Sequence, residues 1–154
     1  MSDDHRSAVL FLCTGNSCRS QMAEGWLRHL ASDRFDALSA GLEPRPVHPM
    51  AVEVMAAAGV DISGQHSKSV AEFLGRKTVR MAVFVCATAE RDCPVVFPFA
   101  LRCLSWPLED PAEFQGTDAE CRQKFEEIRD RIEAMIRTWL KSEESNSLQE
   151  KQNA

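Results

Sequence analysis

An apolar run that ends on a cysteine and passes at once through a tight polar loop into a helical pattern leaves this chain few ways to fold. The stretch is Val9-Leu10-Phe11-Leu12-Cys13-Thr14-Gly15-Asn16-Ser17-Cys18-Arg19-Ser20. Val9 to Leu12 read as a buried strand, and Gly15 and Asn16 are residues that accept left-handed backbone angles. From Ser20 onward Met22, Ala23, Trp26, Leu27 and Leu30 recur at helical spacing. Cys13 therefore stands at the end of a strand, with the start of a helix just beyond it. In that geometry loop N–H groups and the helix N-terminus form a cradle for a tetrahedral oxyanion beside the sulfur. The same positive field favours a thiolate, because a cysteine that titrates near ~8.5 in isolation is acidified at a helix N-terminus beside an arginine. Cys13 is thus a candidate nucleophile. Arg19 offers a planar fork to two oxygens of the anion, which a lysine would not match.

The 154 residues suit one domain with a sizeable core, and 44% hydrophobic with 27% charged residues is an ordinary globular balance. A net charge of −5 argues against nucleic acid as a partner, and no basic run points to a membrane surface. An anionic substrate must then be held by local donors. The start, Met1 to Arg6, is polar, and the apolar run behind it, Ala8 to Leu12, is too short for a signal or membrane segment, so a cytoplasmic location is expected. Six cysteines in such a chain, without a Cys-x2-Cys pair to suggest zinc, favour catalytic or redox use over a static disulfide framework. None of the four histidines has ligand spacing, and no metal site is expected.

Along the chain, Phe35 to Gly41 reads as a second strand ending on glycine. His48-Pro49 opens a helix through Met50, Val52, Val54, Met55 and Ala58, closed by Gly59 as a left-handed cap. A loop from Asp61 to Lys68 leads into a short helix near Ser69 to Gly75. Met81 to Cys86 is a continuous apolar run, the pattern of a strand covered on both faces, so a second cysteine ends a strand. Ala87 to Asp92 reads as a helical turn before Cys93-Pro94, Cys103 to Trp106 as a weak fourth strand, and Glu109-Asp110-Pro111 as a turn. Thr117 and Glu120 match a capping box opening a last helix, with Phe125, Ile128, Ile132, Met135, Ile136 and Trp139 as its stripe. From Lys141 on the chain is polar and has no stripe, so we place the domain at residues 1–141 and expect 142–154 to be a disordered tail. Strands alternating with helices imply a single-domain, doubly wound α/β fold, a four-stranded parallel sheet with helices on both faces. Ligands bind such sheets at the carboxyl ends of the strands, where Cys13 and Cys86 both fall.

Cys-x5-Arg in this setting resembles the signature of cysteine-dependent phosphatases. The longer string Cys-Thr-Gly-Asn-Ser-Cys-Arg-Ser-Gln-Met-Ala-Glu-Gly-Trp is similar to the narrower family of thioredoxin-coupled arsenate reductases, which share the low-molecular-weight tyrosine phosphatase fold. Two further segments carry the likeness. Cys86 to Pro94 resembles the family's redox segment in its Cys-x6-Cys spacing, and Asp110-Pro111 resembles its general-acid loop. The tyrosine phosphatases of this fold place aromatic residues after that Asp-Pro pair; here Ala112 follows, and the chain has no tyrosine.

The resemblance implies a monomeric arsenate reductase with no bound cofactor, recycled by thioredoxin, with Cys13, Arg19, Cys86, Cys93 and Asp110 as catalytic residues. Thr14, Gly15, Asn16, Ser17, Cys18, Arg19 and Ser20 would hold the arsenate, Asn16 by shaping the loop and Ser20 by donating to the Cys13 thiolate. The implied relay passes from a Cys13–arsenic adduct to a Cys13–Cys86 disulfide and then to Cys86–Cys93. A helix over 86–93 would hold those two Cα atoms about 10 Å apart, whereas a disulfide needs roughly 4.4–6.8 Å, so the segment is expected to refold on oxidation. Cys18 is expected to pack behind the loop, the alternative being a protective disulfide with Cys13; Cys103 and Cys121 have no partner in the family pattern. Some members bind a monovalent cation through an asparagine, a glutamate, a serine and an aspartate. Asn16, Glu24 and Ser39 match the first three, but Lys68 stands in place of the aspartate, where its ammonium would repel a cation and substitute for it. The rival readings are a phosphomonoesterase of the same fold and, in another class, a non-catalytic thiol sensor or oxyanion-binding protein.

Overall fold

A computed structural model of the chain describes residues 6–73, 78–85 and 100–153. Four parallel strands, β1 (Ser7–Cys13), β2 (Phe35–Gly41), β3 (Met81–Phe84) and β4 (Arg102–Ser105), form one sheet in the order β2-β1-β3-β4. The continuous apolar runs of β1 and β3 take the two central places and are buried on both faces. β2 alternates buried and half-buried residues over its first four positions, and β4, at the edge, is mostly exposed. The strand order reverses at β1, and Cys13 stands at the carboxyl end of that strand, paired with Gly41 of β2. Adjacent in register, Leu12 pairs with Phe84 of β3. A crevice opens at such a reversal, and Cys13 is at its edge.

Helix α1 (Arg19–Ala31) follows the loop and buries Met22, Ala23, Trp26 and Leu27 against β1, β2 and the C-terminal helix. Helix α2 (Pro49–Ala57) is opened by His48, whose Nδ1 accepts from the Met50 N–H at 3.1 Å, with Pro49 at the first helical position. Gly59 closes it with φ of +86°, the left-handed cap expected from the sequence. The helix expected near Ser69 is a single 3-10 turn, Val70–Glu72, boxed by Ser69 and Glu72, and residues 74–77 lie outside the described part. A second 3-10 turn, Pro111–Glu113, is capped by the Asp110 side chain, which accepts from the Ala112 N–H.

Helix α3 (Asp118–Gln152) opens on the expected Thr117–Glu120 capping box and buries Phe125, Ile128, Ile132, Ile136, Trp139 and Leu140. Its length corrects the sequence reading of a disordered tail over 142–154, because the helix runs on through Gln152 without a break. The extension has no apolar stripe and needs none. A helix already nucleated and packed extends at little cost through good helix formers such as Glu, Lys and Gln. Arg34 from the loop after α1 reaches Glu144, and Arg102 of β4 reaches Glu143, each at 3.2 Å. Among the described residues no helix is long and apolar enough to cross a membrane.

Candidate active site

The loop between β1 and α1 is held from outside by its carbonyls. The N–H groups of Leu42, Glu43, Arg45 and His48 donate to the carbonyls of Cys13, Thr14, Gly15 and Ser17 at 2.8–3.3 Å. In a trans peptide the carbonyl and the following N–H point opposite ways. With those four carbonyls tied outward, the N–H groups of Thr14, Gly15, Asn16 and Cys18 turn inward. The Asn16 N–H confirms the sense, donating to Cys13 Sγ at 3.1 Å. Gly41 makes this close approach of the second strand to the loop possible, since a Cβ there would lie 2.8 Å from the Thr14 carbonyl oxygen and 2.9 Å from the Asn16 nitrogen.

Asn16 is the keystone of the loop. It is fully buried and takes the left-handed backbone, φ 49°, that its place in the sequence predicts. Its Oδ1 accepts from Gln21 Nε2 at 3.0 Å and the Lys68 N–H at 2.8 Å, while its Nδ2 donates to Ser20 Oγ at 2.8 Å. Ser20 Oγ, accepting there, has its own proton to offer the Cys13 sulfur 2.8 Å away. Two donors therefore converge on Cys13 Sγ, an arrangement that stabilises a thiolate. Sequence reasoning missed Gln21, whose amide also reaches the carbonyls of Asn16 and His66; its one signal is a polar residue directly beside Met22 in the apolar stripe of α1.

Arg19 and Asp110 face the sulfur across a cavity of about 330 Å³ lined by Cys13, Thr14, Gly15, Ser17, Cys18, Arg19, Arg45, Leu108, Asp110 and Glu113. Arg19 donates to the Leu108 carbonyl at 2.9 Å and pairs with Asp110 at 3.5 Å, and among the described residues its buried Nε has no hydrogen-bond partner. The structure thus brings together Cys13, Arg19 and Asp110, 97 residues apart in sequence from first to last. Cys86 and Cys93 lie outside the described residues, as does the segment expected to refold.

Cys18 is 3% exposed and lines the same cavity, with its sulfur 3.9 Å from Asp110 Oδ1. Burial, with a smaller contribution from the Asp110 carboxylate, pushes its thiol up to about 11, so it remains protonated at neutral pH. Cys121 donates weakly to the carbonyls of Phe114 and Gly116, and Cys103 is exposed on the edge strand.

The residues matching the family's cation site do not fit a metal ion. Lys68 Nζ stands 3.5 Å from Glu24 Oε1, which also accepts from Ser39 Oγ at 2.7 Å, while Arg28 takes the other carboxylate oxygen at 2.8 Å. The buried Glu24 is neutralised by cations of the chain itself. Among the described residues no group of three or more His, Cys, Asp or Glu is placed to hold a metal.

Residues 8–154 match the family model described as low molecular weight phosphotyrosine protein phosphatase. The chain is 40% identical over 138 residues to an arsenate reductase of Halalkalibacterium halodurans, covering 90% of this chain and 98% of that one. Its fold superposes on an arsenate reductase solved in the phosphate-binding state with a TM-score of 0.68 at 33% identity, covering 86% of this chain and 98% of the other. It also superposes on a low molecular weight protein tyrosine phosphatase from T. tengcongensis, with a TM-score of 0.75 at 25% identity, covering 88% and 99%.

Proposed function

The chain belongs to the low molecular weight phosphotyrosine protein phosphatase family, and from that premise we propose that it is an arsenate reductase, working through a cysteine relay in the cradle just described. The observation that carries the reading is Cys13 Sγ receiving two donors while facing the Arg19–Asp110 pair across a cavity of about 330 Å³. A tetrahedral oxyanion fits there, with inward N–H groups and the Arg19 fork on its oxygens. Its similarity to arsenate reductases supports arsenate rather than a phosphate ester as the substrate. The absence of any tyrosine and the Ala112 that follows Asp110-Pro111 count against a ring-binding phosphatase.

In this reading the Cys13 thiolate attacks arsenic, a sulfur–arsenic bond forms, and an arsenate oxygen leaves as water with a proton from Asp110. The Cys86 thiolate attacks Cys13 Sγ; the sulfur–arsenic bond breaks and its electron pair stays on arsenic, which falls from +5 to +3 and departs as arsenite. A Cys13–Cys86 disulfide remains. Cys93 attacks Cys86, Cys13 leaves as a thiolate, and the Cys86–Cys93 disulfide is reduced by an external dithiol, which we assign to thioredoxin. Val85, the residue before Cys86, donates its N–H to the Leu12 carbonyl at 3.0 Å, next to the nucleophile, in keeping with this order of attack. The relay, a monomeric state and a cytoplasmic location belong to the same proposal.

The test is thioredoxin-dependent NADPH consumption with arsenate, wild type against Cys93→Ser, with hydrolysis of a small aryl phosphate followed alongside. Many turnovers in wild type and at most about one in the variant, with aryl phosphate hydrolysis equal in both, support the relay. Efficient aryl phosphate hydrolysis without arsenate turnover would transfer the function to the phosphatase reading.

A further inference from the structure

The mouth of the cavity carries a second arginine that the sequence pattern does not single out. Arg45 sits in the segment after β2, and its N–H donates to the Gly15 carbonyl at 2.8 Å. Its Cγ and Cδ lie 3.7 and 3.6 Å from where a Cβ on Gly15 would stand, so its stem runs along the loop and its side chain lines the cavity with Cys13 and Arg19. Among the described residues the guanidinium has no hydrogen bond or ion pair, and the side chain is exposed.

The charge balance of the cavity gives this position its weight. Arg19 is already engaged by the Leu108 carbonyl and by Asp110, and Glu113 adds a second carboxylate to the lining. Without Arg45 the walls would present one cation against two carboxylates, in a chain of net charge −5. A doubly charged oxyanion entering such a site would be repelled before it reached the inward N–H groups.

We propose that Arg45 determines the affinity of the cavity for doubly charged oxyanions, its uncommitted guanidinium drawing them in and holding an oxygen that Arg19 and the loop leave at the mouth. The proposal rests on the reductase reading for its substrate, but its chemistry, a guanidinium on a tetrahedral dianion, holds for inorganic phosphate as well. Arg45 acts on binding and not on the sulfur–arsenic step, which takes place deeper, between Cys13, Arg19 and Asp110.

The experiment compares wild type with Arg45→Lys, Arg45→Gln and Arg45→Glu, all at an exposed position. Two readouts are taken: steady-state arsenate reduction, and protection of Cys13 by inorganic phosphate against iodoacetamide, read by mass spectrometry of the Cys13 peptide. In the Gln variant KM for arsenate and the half-protecting phosphate concentration rise together by about fivefold, and in the Glu variant by about tenfold or more, while Lys stays within about twofold of wild type and kcat barely moves. The salt dependence of kcat/KM flattens in the Gln variant. Unchanged phosphate protection in the Gln and Glu variants overturns the proposal, as does a fall in kcat at constant KM, or a Lys variant as impaired as Gln. A wild type that reduces no arsenate would overturn the reductase reading alone, since phosphate protection still decides the role of Arg45.

Discussion

The two halves of the candidate site are built in opposite ways. The cradle is woven into the core: Asn16 is fully buried, bonded to Gln21, Ser20 and Lys68, and the loop carbonyls are tied to the segment after β2. The turn that carries Asp110 is only partly buried. Asp110 is held by its cap on the Ala112 N–H and by Arg19. In the cradle, geometry and stability are the same thing, because removing a bond there strands a buried polar group. In the turn, the proposed mechanism predicts that chemistry can be removed and the fold kept.

Asp110→Asn tests that separation most sharply. Asparagine keeps the cap on the 3-10 turn but has no proton to give, so the single-turnover rate of arsenite formation should fall by about 10²–10³-fold, while Tm moves by less than about 2 °C. Equal losses of rate and Tm would erase the distinction between the two regions. Asn16→Ala should do the opposite, costing roughly 3 kcal/mol in denaturant unfolding and taking activity with it, since Gln21, Lys68 and Ser20 all lose a partner. Lys68→Met removes one of the cations around buried Glu24. Arg28 and Ser39 remain, so a loss of about 1–2 kcal/mol is expected by the same measurement.

The smallest effect is confined to high pH. Cys18 titrates from about 11 in the fold against 9.0 as its ordinary value. The folded state therefore holds a proton that the unfolded chain has released between those values, and the stability from keeping the thiol neutral is whole below pH 9 and is lost as pH rises toward 11. Unfolding curves should show wild type losing about 1 kcal/mol by pH 10, a loss that Cys18→Ala does not share.

The same contrast explains how much could be read from the sequence. The cradle is legible because strand, loop and helix are contiguous: Cys13, Asn16 and Ser20 lie within eight residues and are hydrogen-bonded to one another. Asp110 is marked in the sequence by the Asp-Pro pair and its place after the fourth strand. What escaped depends on segments distant in the chain. Arg45 and Glu113 become mouth residues only when the loops after β2 and β4 converge on the cavity. The helix beyond Lys141 gives no signal in the sequence because its partners, Arg34 and Arg102, lie 110 and 41 residues away from the glutamates they meet. A polar helix face shows no periodic signal; ion pairs to distant arginines leave none either.

The central claim, that the thiol in this cradle reduces arsenic rather than merely binding an oxyanion, is tested most directly by trapping its product. Cys93→Ser is mixed with arsenate in the absence of any external reductant, quenched in acid, and assayed both for arsenite and for its disulfides by peptide mass spectrometry. The account predicts close to one arsenite per protein and a Cys13–Cys86 disulfide accumulating at the same rate. Protein that remains fully reduced, with no arsenite formed, would contradict it.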